Sequence, residues 1–322
     1  MESSELLERI ASSDVPLALA TVTHVSGHAY RKAGTAMLLA ADGRKFGSIS
    51  PGCMERDLLE RIPALLEAGR PEIVTYDMRP GEDAIWGESI GCGGVVTVLL
   101  EPVSGTLLEL LKKACLRVRN GERLRLARSQ IGDRIRYRLL SGGEADPFAE
   151  AGEMMMADTR LEPRPHLLLF GAGEDAAPIC DAAQRIGFRV TVADWRADRA
   201  IAGRFPQSCV LLGTAEEIVR QARLGPEDYV VLCGHQLRKD REMLEAVLPL
   251  DPAYVGAVGS RKRIDALFEG LKRTPAVHAP IGLAIGAEGP DEIAVSIAAE
   301  LIAVRAAGRT TAIAAESASC TI

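Results

Sequence analysis

The 322-residue chain carries 38 basic against 44 acidic side chains, a formal net charge of -6, with 47% hydrophobic and 25% charged residues. That balance fits a globular protein with room for two full cores, and it argues against nucleic acid as a main partner, which needs a basic surface. The N-terminal MESSELLERIASSD has no apolar signal region, and no apolar run approaches the roughly 20 residues of a membrane span, so a cytoplasmic protein without a membrane segment is expected.

In chain order, Leu17 to Val25 alternates, turns at Ser26-Gly27 and resumes as Thr35 to Ala40, with Asp42-Gly43 as a hairpin turn before Lys45 to Ile49. A helix is predicted from Glu55 to Ala68, closed by Gly69, then a strand from Glu72 to Tyr76. The loop from Arg79 to Gly94 is long for a compact domain and dense in glycine and acid. A strand VVTVLLE, a helix from Gly105 to Asn120 and a polar hairpin from Arg123 to Leu140 complete a β-rich α+β domain over residues 1–140. Residues 141–164 mix Gly, Glu, Pro and three methionines without a clear period and read as a linker.

Residues 166–194, HLLLFGAGEDAAPICDAAQRIGFRVTVAD, read as strand, glycine turn, helix, strand and terminal acid. Gly171, Gly173 and Ala176 fill the G-x-G-x-x-A positions: one for the tight turn, one for room beside a pyrophosphate, one for close helix packing. A helix from about Glu174 would offer amides and a positive dipole end to the phosphate, and Asp194 would accept hydrogen bonds from a ribose diol. Glu174 and Asp175 would repel the same phosphate. Further on come strand Cys209 to Leu212, helix Ala215 to Ala222, strand Tyr229 to Cys233, helix Lys239 to Val247, strand Tyr254 to Val258 and helix Lys262 to Leu271. A last helix runs from Asp291 to Ala306. The alternation predicts a Rossmann-like, doubly wound parallel sheet over 165–309, followed by a tail at 310–322, and an α/β class for the whole.

Seven cysteines with no C-x-x-C pair fit neither a disulfide scaffold nor a zinc site. Cys115, Cys180 and Cys209 sit in apolar patterns and read as core. Cys53, Cys92 and Cys233 border glycine loops. Cys53, at a helix start, is a candidate soft metal ligand or nucleophile, and Cys92, between glycines, could approach a partner closely. The competing reading of both is a small residue filling a tight turn. His235, after a strand, could shuttle a proton; Ser260 and Arg261 put a hydroxyl and a guanidinium at a helix start, suited to an anion or simply to a capped, solvated turn.

Taken in order, VSGHAYRKAGTAMLL, GSISPGCMERDL, GCGGVVTVLLEP, FGAGEDAAP, FRVTVADWR, YVGAVGSRKR and HAPIGLAIGAEGPDEIAVSIAAEL resemble the XdhC/CoxI family of accessory proteins for molybdenum hydroxylases. The resemblance spans nearly the whole chain. It implies binding of molybdenum cofactor (a molybdopterin), support of its sulfuration, and delivery to an apo xanthine dehydrogenase-like molybdenum hydroxylase. A cysteine desulfurase as sulfur donor and a homodimer go with it. On that footing the cofactor's phosphate would lie near the Gly171 turn or Ser260-Arg261, and Cys53 and Cys92 would face molybdenum or the transferred sulfur, across a crevice between the two domains. Three positions depart from the family pattern: Glu174 follows the turn where His is usual, Pro51 replaces a glycine before Cys53, and Gly234 replaces a threonine before His235.

The chain reads more as an insertion chaperone than as a turnover enzyme. Two alternatives remain: an NAD(P)-dependent oxidoreductase, carried by Gly171 and Asp194, and a non-catalytic chaperone that docks its client.

Overall fold

The computed structural model describes residues 2–79, 94–132, 134–142 and 153–319, with side chains in the last helix to residue 308. Cys92 and most of the loop from Arg79 to Gly94 lie outside the described residues. The chain divides into two compact units, Met1–Pro163 and Arg164–Ile322.

The first unit is built on a five-stranded antiparallel sheet of order β3-β2-β1-β5-β4, from β1 (Leu17–Ser26), β2 (Ala36–Ala40), β3 (Lys45–Phe46), β4 (Glu72–Asp77) and β5 (Val95–Pro102). Side chains of a strand alternate between faces, and β1 uses both. Ala18, Ala20 and Val22 pack with Met54, Leu58, Ile62 and Leu65 of α2 (Cys53–Ala68). Leu17 and Leu19 pack with α1 (Ser3–Ala11), α3 (Gly105–Arg119) and a second, three-stranded sheet. That sheet has the order β7-β6-β8, from β6 (Leu124–Ile131), β7 (Arg134–Ser141) and β8 (Met154–Leu161). Strand β8 falls where the sequence suggested a linker at 141–164, and its Leu161 is part of the core. Between the sheets Arg128 Nε meets Glu101 Oε2 at 2.9 Å, both side chains wholly buried, and Arg128 Nη1 donates to Thr159 Oγ1 at 2.9 Å.

The second unit holds six parallel strands in the order β11-β10-β9-β12-β13-β14: β9 (His166–Phe170), β10 (Arg189–Asp194), β11 (Cys209–Leu212), β12 (Tyr229–Leu232), β13 (Tyr254–Ala257) and β14 (Val277–His278). One face packs on α4 (Ala176–Arg185) and α8 (Gly289–Ser319) through Ile179, Ala183, Ala294, Ile297 and Leu301. The other packs on α5 (Ala215–Ala222), α6 (Leu237–Val247) and α7 (Arg261–Leu267). With both faces covered, the central strands β9, β12 and β13 are buried at every residue rather than alternating. Two expectations are corrected. Helix α8 runs to Ser319, because the alanine-rich segment read as a tail at 310–322 favours helix and has no proline to stop it. Cys209, read as core, is exposed on β11, the edge strand of this sheet.

Candidate functional site

The winding of the parallel sheet reverses between β9 and β12, and ligands of such sheets sit beyond the carboxyl ends of those strands. There two loops come into backbone contact. Gly171 follows β9 with φ +106°, and a Cβ on it would lie 2.6 Å from the Gly234 nitrogen. The Cys233 thiol donates to the Gly171 carbonyl at 2.9 Å. Burial first, then the charges of Asp240, Asp175 and Asp194, push that thiol well above its ordinary range, making it a structural donor and not a nucleophile. A Cβ on Gly173 would stand 3.4 Å from His235 Nε2, which is itself 3.6 Å from Asp175 Oδ2. His235 thus stands over the turn, exposed to solvent.

The turn is held from two sides. Asp194 is fully buried and accepts from the amides of Ala172 (2.7 Å) and Arg196 (2.9 Å) and from the Arg196 guanidinium (3.0 and 2.9 Å). Burial alone would raise this carboxyl, but the Arg196 guanidinium and the two amides outweigh it and hold it below the usual carboxylate range. Both its oxygens take protein donors, so Asp194 anchors the loop, with its carboxylate engaged by Arg196 and Ala172 where the sequence suggested a ribose acceptor. From the opposite side, Arg204 donates to the carbonyls of Ala172 (2.8 Å) and Gly173 (3.1 Å). The amides of Gly173 and Glu174 have no acceptor among the described residues. Helix α4 starts at Ala176, later than expected, and Ala176 is buried against the sheet. Free amides before a helix start are the donors an anionic oxygen requires. Glu174 turns to solvent, 3.9 Å from Arg199, which lessens the expected repulsion.

The neighbouring loops are tied to the same place. Asp240, 1% exposed, lies under Gly234, where any Cβ would collide with its Oδ1. Arg263 pairs with Asp240 Oδ2 and donates to the Gly234 carbonyl at 2.8 Å. Burial pushes the Asp240 carboxyl up to about 6 against the opposing charge of Arg263. Ser260 caps α7 by accepting from the Arg263 amide at 3.4 Å, so its hydroxyl serves the helix, while Arg261 is exposed. Gly171, Gly173, Ala176, Asp194 and His235 therefore meet at one place, with Ser260 and Arg261 one loop away.

Cys53 belongs to the first unit and opens α2 after Gly52, whose φ is +134°. Glu55 reaches back to this loop. Its Oε1 accepts from the amides of Ile49 (2.9 Å) and Ser50 (2.7 Å), and its Oε2 from the Ser50 hydroxyl. Ser50 Oγ in turn accepts from the amides of Gly52 (3.0 Å) and Met54 (3.3 Å) and lies 3.8 Å from Cys53 Sγ. The half-buried thiol is held on a fixed loop beside Tyr30, Pro51 and Met78.

Sequence motifs did not point to Arg204, Asp240, Arg263, Ser50 or Glu55. The readable signal for two of them is an acid in an apolar helix slot: Asp240 precedes Met243, Leu244 and Val247, and Glu55 precedes Leu58, Ile62 and Leu65, each on one buried face.

These features define a two-unit α/β protein with a Rossmann-type parallel sheet in one unit and, in the other, an antiparallel sheet beside a helix that opens on a thiol. Residues 167–301 match the family described as XdhC Rossmann domain, and residues 10–77 match the XdhC and CoxI family. A Bacillus subtilis (strain 168) protein described as a probable xanthine dehydrogenase component is 32% identical over 320 residues, covering 93% of this chain and 96% of that protein. The molybdenum cofactor insertion chaperone PaoD of Escherichia coli (strain K12) is 24% identical over 308 residues, 89% of this chain and 83% of that protein. A crystal structure described as a xanthine dehydrogenase from Bacillus halodurans has a TM-score of 0.85 at 31% identity, covering 95% and 96% of the two chains. The chain belongs to the XdhC and CoxI family.

Proposed function

We propose that this protein binds molybdenum cofactor, supports its sulfuration and delivers it to an apo xanthine dehydrogenase-type hydroxylase, as a cytoplasmic homodimer served by a cysteine desulfurase. The observation that carries this reading is the fixed turn at Gly171 to Glu174, with free amides for a phosphate, in a chain related over most of its length to a cofactor insertion chaperone. The cofactor is cargo: a pterin with a phosphate tail and a dithiolene-held metal. Its phosphate meets the amides of Gly173 and Glu174, with Arg261 as a cation on a nearby loop. His235 is placed to hold or move a proton at that turn. Cys53 suits a sulfur-rich metal centre as thiolate and can carry a persulfide, a role the sequence offers to Cys92 as well. Docking of the client belongs to the same task. The NAD(P) alternative is disfavoured because Asp194 spends its carboxylate on Arg196 and Ala172.

Anaerobic incubation with molybdenum cofactor released from a denatured molybdoenzyme, with NADH as competitor, tests the reading. Wild type is expected to retain molybdenum after gel filtration and Cys53→Ala to retain less. Saturable NADH binding with no molybdenum retained moves the protein to the oxidoreductase class.

A further inference from the structure

Beside the glycine turn, on the face covered by α5 and α6, lies a cavity of about 320 Å³ lined by Phe170, Trp195, Thr214, Glu217, Lys239 and Glu242. Its floor comes from the ends of adjacent strands. Phe170 closes β9, Trp195 follows β10, and Thr214 lies just past β11, so the cavity begins at the strand that leads into Gly171 and spans about 10 Å along the sheet edge. That distance suits a ring joined to a phosphate by a short linker.

The walls select a class of ligand. The Trp195 ring is braced by the Arg196 guanidinium at 4.5 Å and by the Phe170 ring at 5.4 Å, which fixes it as a platform. A fixed aromatic face beside an aromatic and a threonine favours a flat ring. The charged lining is two carboxylates against one ammonium, and Glu217 already closes the start of α5 by accepting from the Thr214 amide at 2.9 Å. A phosphate is disfavoured there, because the one ammonium is already paired with a carboxylate and the lining is net negative. Lys239 meets Glu242 Oε2 at 2.7 Å, and Arg238 reaches Glu242 Oε1 from solvent at 3.0 Å, leaving each oxygen of that carboxylate a further lone pair. An exocyclic amine could donate to it.

We propose that this cavity receives the planar, amino-bearing heteroaromatic ring of the ligand whose phosphate meets the Gly171 turn. Two rings have this chemistry, the pterin of the cofactor itself and the base of a nucleotide. The inference rests on the carrier reading only for the identity of that ligand.

Isothermal titration of the full chain tests it with adenosine and inosine monophosphates, and with 6-hydroxymethylpterin and its 2-oxo counterpart, which differ in the amine. The amino-bearing member of at least one pair is expected to bind about tenfold more tightly. Trp195→Ala should weaken that binding about tenfold, with Trp195→Phe largely restoring it, and Glu242→Gln should narrow the preference for the amine. The pair showing the preference identifies the ring. Equal binding within both pairs, or no effect of Trp195→Phe and Trp195→Ala, overturns the proposal; if Trp195→Ala does not fold, Glu242→Gln leaving an amine preference unchanged does so. Molybdenum retention separates the two readings. Cofactor held equally by wild type and Trp195→Ala, with no Trp195-dependent preference in either pair, overturns this pocket alone, whereas ring binding at Trp195 by a protein that retains no molybdenum overturns the carrier reading alone.

Discussion

Two loops in this chain lead into helices and are held by buried carboxylates, yet they end with different chemistry. At Ser50 to Cys53, Glu55 lies inside the helix that follows and reaches back, so the amides of Ile49 and Ser50 go to its carboxylate, that of Gly52 goes to the Ser50 hydroxyl, and a thiol is on display. At Gly171 to Asp175, the carboxylate of Asp194 and the guanidinium of Arg204 come from other segments and hold only Ala172 and the loop carbonyls. The amides of Gly173 and Glu174 are left over. Where the anchor sits decides what the loop offers: an internal anchor presents a side chain, and an external one presents backbone.

Four experiments sharpen this contrast. The largest effect is expected from Gly171→Ala, which adds a Cβ at positive φ and 2.6 Å from backbone; a loss of about 4 kcal/mol in urea unfolding is expected. Glu55→Ala leaves two amides and a hydroxyl without their acceptor and should cost about 3 kcal/mol by the same measurement. It should also change the alkylation rate of Cys53, since the loop loses its anchor, while Asp194 substitutions should leave that rate alone.

The third concerns pH. Asp240 has a folded value of about 6, raised from 3.8, so its protonated form folds better. Its contribution to stability is fully present below about 3.8 and is lost as pH rises through about 6. Asp240→Asn should therefore gain about 2 kcal/mol relative to wild type between pH 4 and pH 7. A constant difference across that range would remove Asp240 from the account. The smallest effect on stability belongs to Gly173→Ala, less than about 1 kcal/mol, because its Cβ meets only the exposed ring of His235. Retention of molybdenum cofactor should nonetheless fall, since the methyl crowds the amides that face the phosphate.

Much of the second unit was legible in the sequence because its strands are short apolar runs and its first turn has a fixed glycine spacing. Strand β8 was not. Its inward residues, Ala157, Thr159 and Leu161, are small or polar but for one, and Met154 and Met155 are exposed, so no period marks it; pairing with β6 makes it a strand. Two-residue β14 is too short for any periodic signal. At the candidate site, Gly171 and His235 could be named from local pattern, whereas Arg204 acts across 31 and 32 residues of chain and belongs to no motif. The anchoring role of Asp194 was not legible for the same reason: an acid at a strand end looks alike whether it faces a ligand or an arginine two residues on.

The backbone contact between Gly171 and Gly234 sets a limit on how this site can diversify. A side chain at Gly171 would force its strand end away from Gly234, and one at Gly234 would displace the buried Asp240 carboxylate, so both positions are confined to glycine. Descendants of this chain that come to serve a different ligand must do so by exchanging residues around that fixed point, such as Trp195, Thr214 and His235, while the turn itself is inherited unchanged.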